Sequence, residues 1–419
     1  MYIKNIQVEN FKVFKNTDLN LKKYNIVIGA NASGKSSLVE IFKFLYNIAN
    51  EGLANAVSMA GGIEYLRNIN LGSSVPLRFS VTVGGFSGPR RQEFAAGNVF
   101  YRQVREIKYS FKLDFSTSAE DYSITDDRLE IEMTLQKNIA GDNDNKNNLV
   151  SITLSRENGN PVLNIDKEND FSEEFLTRDM ILPSFFSGYE IGPRQSLLET
   201  PIAFVIEPSL KDIIRGISVY NINPALAREV VSAHGKIELE EDGSNLPLVL
   251  NQILSVPSKK EKFLNILNDI LPFIESVNIE EYAGRSLLLH LKEKYTRDKF
   301  VPASLFSDGT VCIAALIVAL YFEKGCIALI EEPERNIHPS LISRIVEMIK
   351  EVSTRRQIIV TTHNPELLKY TDIKNLFLVH RGEKGFAHIM RPAEKKEVSA
   401  FLNRDMGIDE LYIQNLLEV

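Results

Sequence analysis

Gly29-Ala30-Asn31-Ala32-Ser33-Gly34-Lys35-Ser36 is the stretch on which the fold turns. It fits GxxxxGK[ST] without a mismatch, and its flanks have the required form. A short apolar run, Tyr24 to Ile28, precedes it as a strand. After it, Leu38, Ile41, Phe42 and Leu45 recur at i, i+3, i+4 and i+7, one buried face of a helix from Ser36 to about Asn50. Gly29 and Gly34 let the backbone turn tightly, so that successive N–H groups point inward at a phosphate chain. The helix adds the positive end of its dipole. Lys35 is expected to neutralise β- and γ-phosphates, and the Ser36 hydroxyl to take one position on Mg²⁺. The predicted nucleotide-binding set here is Gly29, Asn31, Ala32, Ser33, Gly34, Lys35, Ser36 and Ser37.

A second segment carries acid chemistry. Cys326-Ile327-Ala328-Leu329-Ile330 reads as a buried strand that runs into Glu331-Glu332-Pro333-Glu334. Acids at the C-terminal end of a parallel strand sit where α/β folds place ligand chemistry. Glu331 is assigned to the metal. Glu332 is assigned as the base that takes a proton from water, pointing differently because strand side chains alternate. Two further segments complete the order along the chain. Phe306-Ser307-Asp308-Gly309-Thr310 precedes the apolar helix Val311 to Phe322, with Ser307 where an N-cap belongs. Thr361-Thr362-His363-Asn364-Pro365 follows the strand Gln357 to Val360, so His363 could reach a phosphate or an attacking water.

With these four segments in this order, the chain resembles the ABC-type ATPases, specifically the soluble SMC/RecF/OLD-like branch of AAA family ATPases. The matching parts are a Walker A loop (Gly29–Ser36), a signature (Phe306–Thr310), a Walker B strand with its glutamate (Ile327–Glu332) and a switch histidine (His363). Further matches are Val8 to Phe14, Leu239 to Leu246, Glu332 to Pro339 and Thr362 to Leu368. The resemblance implies an α/β, ABC-type P-loop fold with a mixed core sheet and a helical and strand insertion. It implies ATP and Mg²⁺ as cofactors. It also implies a head-to-tail dimer or higher homo-oligomer in which Ser307 and Gly309 of one copy cover the ATP of another. Glu331 stands where the family usually has aspartate, and Asp308 and Thr310 depart from a Gly-Gly-Gln type of signature. No Q-loop glutamine can be placed; Gln103 lies in the right broad region.

The expected organisation is an N-terminal ATPase lobe (1–165, strand-rich), a mostly helical insertion (166–275) and a C-terminal lobe (276–419). Gly141 to Asn148 reads as a polar loop. The roughly 270 residues between Gly34 and Ser307 hold no sustained heptads, so an SMC coiled coil is not expected. They also exceed what a transporter ATPase subunit usually spends there. The stretch after His363 is read as too short for a Toprim nuclease domain. Ile337-His338-Pro339 is not read as a metal site, because the six histidines show no paired spacing.

Over 419 residues, 48 lysines and arginines face 55 acids, a net charge of −7, so nucleic-acid binding would need a local patch. One candidate interleaves Arg90, Arg91, Arg102, Arg105, Lys108 and Lys112 with Phe94, Phe100, Tyr101, Tyr109 and Phe111. Two strands with one buried aromatic face and one solvated cationic face explain it better. Two cysteines, both in apolar runs, suggest a reducing compartment. No signal peptide is read at the N-terminus, and Val311 to Phe322 is too short to span a bilayer. A cytoplasmic location without membrane attachment is expected. The function that the resemblance implies is an ATP-driven dimerisation switch, acting in bacterial anti-phage defence with a separate nuclease or toxin effector. The alternatives are a DNA-binding repair ATPase and a non-hydrolysing ATP-dependent scaffold.

Overall fold

The computed structural model of the chain describes residues 1–93, 99–116, 121–137, 148–167, 181, 186, 188–282, 284–296, 299–396, 398, 407–414 and 416. Phe94 of the basic segment and 141–147 of the polar loop lie outside the described residues, as does most of 168–187. The chain forms two compact units. One comprises Met1–Lys22, Ser36–Ile217 and His380–Ile389; the other comprises Lys23–Lys35, Ser218–Val379 and Met390–Val419. This division differs from the three consecutive segments expected from the sequence. Both units are interleaved in the chain, and the expected insertion 166–275 is shared between them at Ile217 and Ser218.

The first unit is built on antiparallel strands. Tyr2–Phe11 pairs with Phe14–Asn20 and with Leu77–Gly84, and a meander continues through Val99–Phe115, Tyr122–Lys137, Asn148–Glu157 and Asn160–Lys167. Alternation decides which side is core. Leu77, Phe79, Val81 and Val83 are buried on one strand, and Ile107, Tyr109, Phe111 and Leu113 on its partner. Phe79 and Phe111 stack at 5.4 Å, and Phe44 of the helix Lys35–Glu51 joins Phe11 at 5.7 Å. The stripe Leu38, Ile41, Phe42 and Leu45 is buried as its spacing predicts. The opposite strand face carries Arg78, Lys108 and Lys112, and each of these is matched by an acid. Lys108 meets Glu130 at 3.7 Å, Lys112 meets Asp114 at 2.8 Å, Arg78 meets Glu9 at 3.0 Å, and Arg102 pairs with Glu207. Within the basic segment, Tyr109 and Phe111 are thus turned inward and Lys108 and Lys112 are engaged by carboxylates, whereas Arg102, beyond the register shift at Val104/Glu106, lies opposite the buried Leu135 and is held by the buried Glu207.

The second unit holds the parallel strands. Ile327–Glu331 pairs with Gln357–Thr362, which pairs with Tyr24–Ile28, which pairs with Leu376–Arg381. Tyr24–Ile28 and Gln357–Thr362 are buried along their whole length, as strands covered on both faces must be. Helix Asp308–Tyr321 is buried continuously from Thr310 to Leu320, which explains why its sequence is apolar all round. A small antiparallel sheet of Val231–Ser232, Ser286–Glu293, Ile274–Tyr282 and Val301–Pro302 belongs to the same unit. Phe263, Leu267, Leu289, Ile317, Ile345 and Ile358 share its hydrophobic core. With parallel and antiparallel pairing in both units, and helices packed on the strands, the chain is of mixed α/β class. Among the described residues, no helix is long and apolar enough to cross a membrane.

Candidate functional site

Register brings the predicted residues together. Ile28 lies opposite Thr362, and Thr361 lies opposite Glu331. The three parallel strands therefore end level. The glycine loop, the acid pair and the histidine all leave the sheet at one edge, the carboxyl end where α/β sheets place ligands.

The glycine loop is shaped by close approaches. A Cβ on Gly29 would lie 2.3 Å from the Val379 carbonyl oxygen, so no larger residue fits there. Gly34 adopts φ +121°, a region that L side chains rarely enter, and Ala32 sits at φ +60°. Asn31 and Ala32 are exposed, whereas Ser33, Gly34 and Lys35 are buried. The Ser33 hydroxyl is buried with no hydrogen-bond partner among the described residues. Lys35 folds back over its own loop, donating to the carbonyls of Gly29 at 2.7 Å and Ala30 at 2.9 Å. Burial pulls its pKa down, and the charges of Glu332, Glu331 and Glu334 pull it back up. Three carboxylates thus lie within electrostatic reach of one ammonium. Ser36 (exposed) and Ser37 (half-buried) follow in the first turn of the helix that Lys35 opens.

Glu331 ends its strand and Glu332 does not continue it. Glu332 takes a left-handed backbone, φ +46°, and donates its N–H to the Thr361 carbonyl at 2.8 Å. Its different direction therefore comes from this turn rather than from strand alternation. The turn brings Glu332 Oε1 to 2.7 Å from His363 Nδ1. Two positions on, Glu334 is buried and accepts from the Thr362 hydroxyl through Oε1, while its Oε2 has no partner among the described residues. Burial pushes its pKa up, and the Thr362 hydrogen bond acts against that. Glu334 and Thr362 carried no role in the sequence; the matched segments Glu332 to Pro339 and Thr362 to Leu368 contain them without marking them.

Ser307 is the N-cap expected, with φ −64° and ψ 151°, and its hydroxyl accepts from the Thr310 N–H at 3.3 Å. Thr310 Oγ1 lies 2.9 Å from the same hydroxyl, so the threonine that departs from the usual signature takes part in the cap. A Cβ on Gly309 would lie 2.7 Å from the Asn336 carbonyl oxygen. Ser307 and Gly309 thus group with the loop beyond the acid pair. His338 caps the turn that follows, with its Nδ1 2.8 Å from Ser340 Oγ. Among the described residues, no cluster of three or more His, Cys, Asp or Glu is arranged to hold a metal ion. Gln103 lies within the strand Val99–Phe115, opposite Thr134.

The family profile described as "AAA domain, putative AbiEii toxin, Type IV TA system" matches residues 24–369, most of the chain. The chain belongs to this AAA-domain family. The match begins at the strand that feeds the glycine loop and ends past His363, so it contains the glycine loop, Ser307, the acid pair and the histidine. Endonuclease GajA of Bacillus cereus (strain VD045) is 23% identical to this AAA-domain chain over 396 residues, 92% of the chain and 59% of GajA. The chain therefore spans well under two thirds of that relative's length. An uncharacterized protein of Methanocaldococcus jannaschii is 27% identical over 93 residues, covering 22% of the chain and 24% of that protein. Among solved structures, an SMC head bound to the C-winged helix domain of ScpA is similar, with a TM-score of 0.50 at 14% identity. That likeness covers 93% of this chain and 98% of the SMC head. The AAA-domain chain thus has the fold of SMC-head, ABC-type ATPase domains.

Proposed function

We propose that this chain binds ATP with Mg²⁺ in the Gly29–Ser36 loop and hydrolyses it, and that the nucleotide governs self-association. The observation that carries the reading is the common edge at which Lys35, Glu331, Glu332 and His363 emerge, set by the Ile28–Thr362 and Thr361–Glu331 register. The residues fit the ligand. The loop has a buried hydroxyl with an unused partner position, a glycine where a Cβ has no room, and one ammonium that feels the charge of three carboxylates. Mg²⁺ in such sites takes one or two carboxylates plus phosphate and water, so no all-protein cage is required.

Each group then has a distinct task. Bound Mg²⁺ would draw negative charge from the phosphate oxygens, and Ser36 and Glu331 are the residues to hold it. Lys35 exchanges the Gly29 and Ala30 carbonyls for phosphate oxygens, which are stronger acceptors. Glu332 accepts a proton from water, and His363, sharing a hydrogen bond with it, fixes the direction of that carboxylate. Ser307 and Gly309 act on the nucleotide of a second copy, which makes the active unit a head-to-tail dimer or a larger homo-oligomer. The test is direct. Wild type should bind ATP, turn it over with Mg²⁺ and change its sedimentation with ATP present. A chain that neither binds ATP nor alters its self-association refutes the proposal.

As to setting, the family description names a toxin and a toxin–antitoxin system, and one relative is named an endonuclease. Both support a role in anti-phage defence with a nuclease or toxin as the effector class. Location in the cytoplasm goes with that role. The pairing of Arg102, Lys108 and Lys112 with acids favours this over DNA tracking by the basic segment.

A further inference from the structure

The loop bearing Ser307 and the loop beyond the acid pair are both held by one short segment that no motif marks. Arg228 follows the four-residue helix Pro224–Ala227. Its Nε donates to the Pro224 carbonyl at 2.9 Å and its Nη1 to the Phe306 carbonyl at 3.3 Å, while its Nη2 pairs with the Asp308 carboxylate. Phe306 and Asp308 flank Ser307, so the arginine grips the signature on both sides of its serine. A few residues upstream, the Asn221 Oδ1 and the Ile222 carbonyl each accept from Arg335 Nη2 at 2.9 Å. Arg335 sits in the turn that follows Glu332, its N–H donating to the Glu332 carbonyl at 2.9 Å.

The holding segment is itself anchored. The N–H groups of Asn221 and Asn223 donate to the carbonyls of Glu241 and Asp242 at 2.7 and 2.8 Å. The two held loops also touch each other, since Gly309 leaves no room for a Cβ against the Asn336 carbonyl. We propose that Asn221–Arg228 is a brace that keeps the signature loop and the acid loop in one arrangement, with Arg228 as its principal positioning residue. Asp308, which stands where the usual signature has glycine, supplies the acceptor that completes the arginine's fork. The planar guanidinium serves three acceptors in fixed directions, which a lysine ammonium cannot reproduce. Asp308 is half exposed, so the ion pair alone adds little stability. Its effect is to orient Ser307. The positioning role in catalysis rests on the proposed function; the brace itself does not.

The experiment therefore reads both. Amide hydrogen exchange at 306–311 and at 29–36 is measured by mass spectrometry in wild type, Arg228→Ala, Arg228→Lys and Asp308→Asn, together with ATP turnover and ATP affinity. Arg228→Ala should speed exchange at 306–311 on the order of tenfold, the loss of a charge-assisted contact, and leave 29–36 unchanged. Turnover should fall by a similar factor at unchanged ATP affinity, and Arg228→Lys should restore part of both. Wild-type exchange at 306–311 in Arg228→Ala overturns the brace. If that variant unfolds throughout, Arg228→Lys and Asp308→Asn decide in the same way, wild-type exchange in both counting against it. A wild type without turnover refutes the proposed function, while the exchange data still judge the brace. Normal turnover in Arg228→Ala with raised exchange refutes the positioning role alone.

Discussion

His363 Nδ1 lies 2.7 Å from Glu332 Oε1, and the contact depends on the left-handed backbone at Glu332. An extended residue there would project its carboxylate from one face of the sheet, as strand side chains do. The turn instead points it at the histidine that leaves the neighbouring strand. A second link, from Thr362 to Glu334, ties the same two loops together one residue earlier and two residues later. The acid loop and the histidine loop are thus coupled twice, so a shift of one carries the other.

Glu332→Gln tests the base. The amide can keep a hydrogen bond with His363 but cannot take a proton. ATP affinity should hold, and turnover should fall by about 10²–10⁴-fold, the usual contribution of a general base. Steady-state phosphate release beside equilibrium ATP binding measures both. Full turnover in the variant would remove Glu332 from the chemistry.

Lys35→Ala tests the cradle. The ammonium now rests on two loop carbonyls and feels the charge of three carboxylates. Without it the acids would confront the phosphates unopposed. ATP affinity should drop on the order of 100-fold or more, as expected for lost charge-assisted contacts. Isothermal titration gives the answer, and unchanged affinity would place the nucleotide elsewhere.

Gly29→Ala tests the close approach. The added methyl would meet the Val379 carbonyl at 2.3 Å and the Ser33 hydroxyl at 2.7 Å. The carbonyl belongs to a paired strand and cannot step aside cheaply. The expected cost is about 1–3 kcal/mol of stability, together with loss of ATP binding. Gly88→Ala is the control, because a Cβ there meets nothing within 4 Å. Equal urea midpoints for the two variants would show that the loop tolerates the methyl.

What could be read from the sequence was local in the chain. The glycine loop, the Ser307 cap and the stripe from Leu38 to Leu45 each depend on neighbours within one or two turns. The strand ends that bring Glu332 to His363 were expected as elements, but their level ending is a matter of register. The interleaving of the two units was hidden for a related reason. Tyr24–Ile28 pairs in parallel with Gln357–Thr362, more than 300 residues away, and parallel pairing leaves no hairpin signal. Arg228 and Asp308 are 80 positions apart, and Tyr109 and Ser196 are 87 apart. Polar contacts of that kind are made by packing, and no spacing rule announces them.

Asp127 supplies a prediction on pH. It is 1% exposed, accepting from the Tyr109 hydroxyl at 2.9 Å and from the Leu197 N–H at 2.7 Å. Burial pushes its pKa up to about 7 from an ordinary 3.8, although both hydrogen bonds and Arg156 favour the charged form. Between those two values the folded chain holds a proton that the unfolded chain has released. Stability from this group is therefore fully present below about pH 4 and is lost as pH rises through about 7. Asp127→Asn removes that titration while keeping an oxygen to accept from Tyr109 or Leu197. Urea midpoints of the first unit, followed by hydrogen exchange at pH 5, 6, 7 and 8, should fall more steeply for wild type than for the variant. The difference in slope between pH 5 and 7 is bounded by about 1.4 kcal/mol per pH unit. Parallel profiles for the two proteins would mean that Asp127 is already ionised in the folded chain at pH 5, held by Tyr109 and Leu197 against its burial.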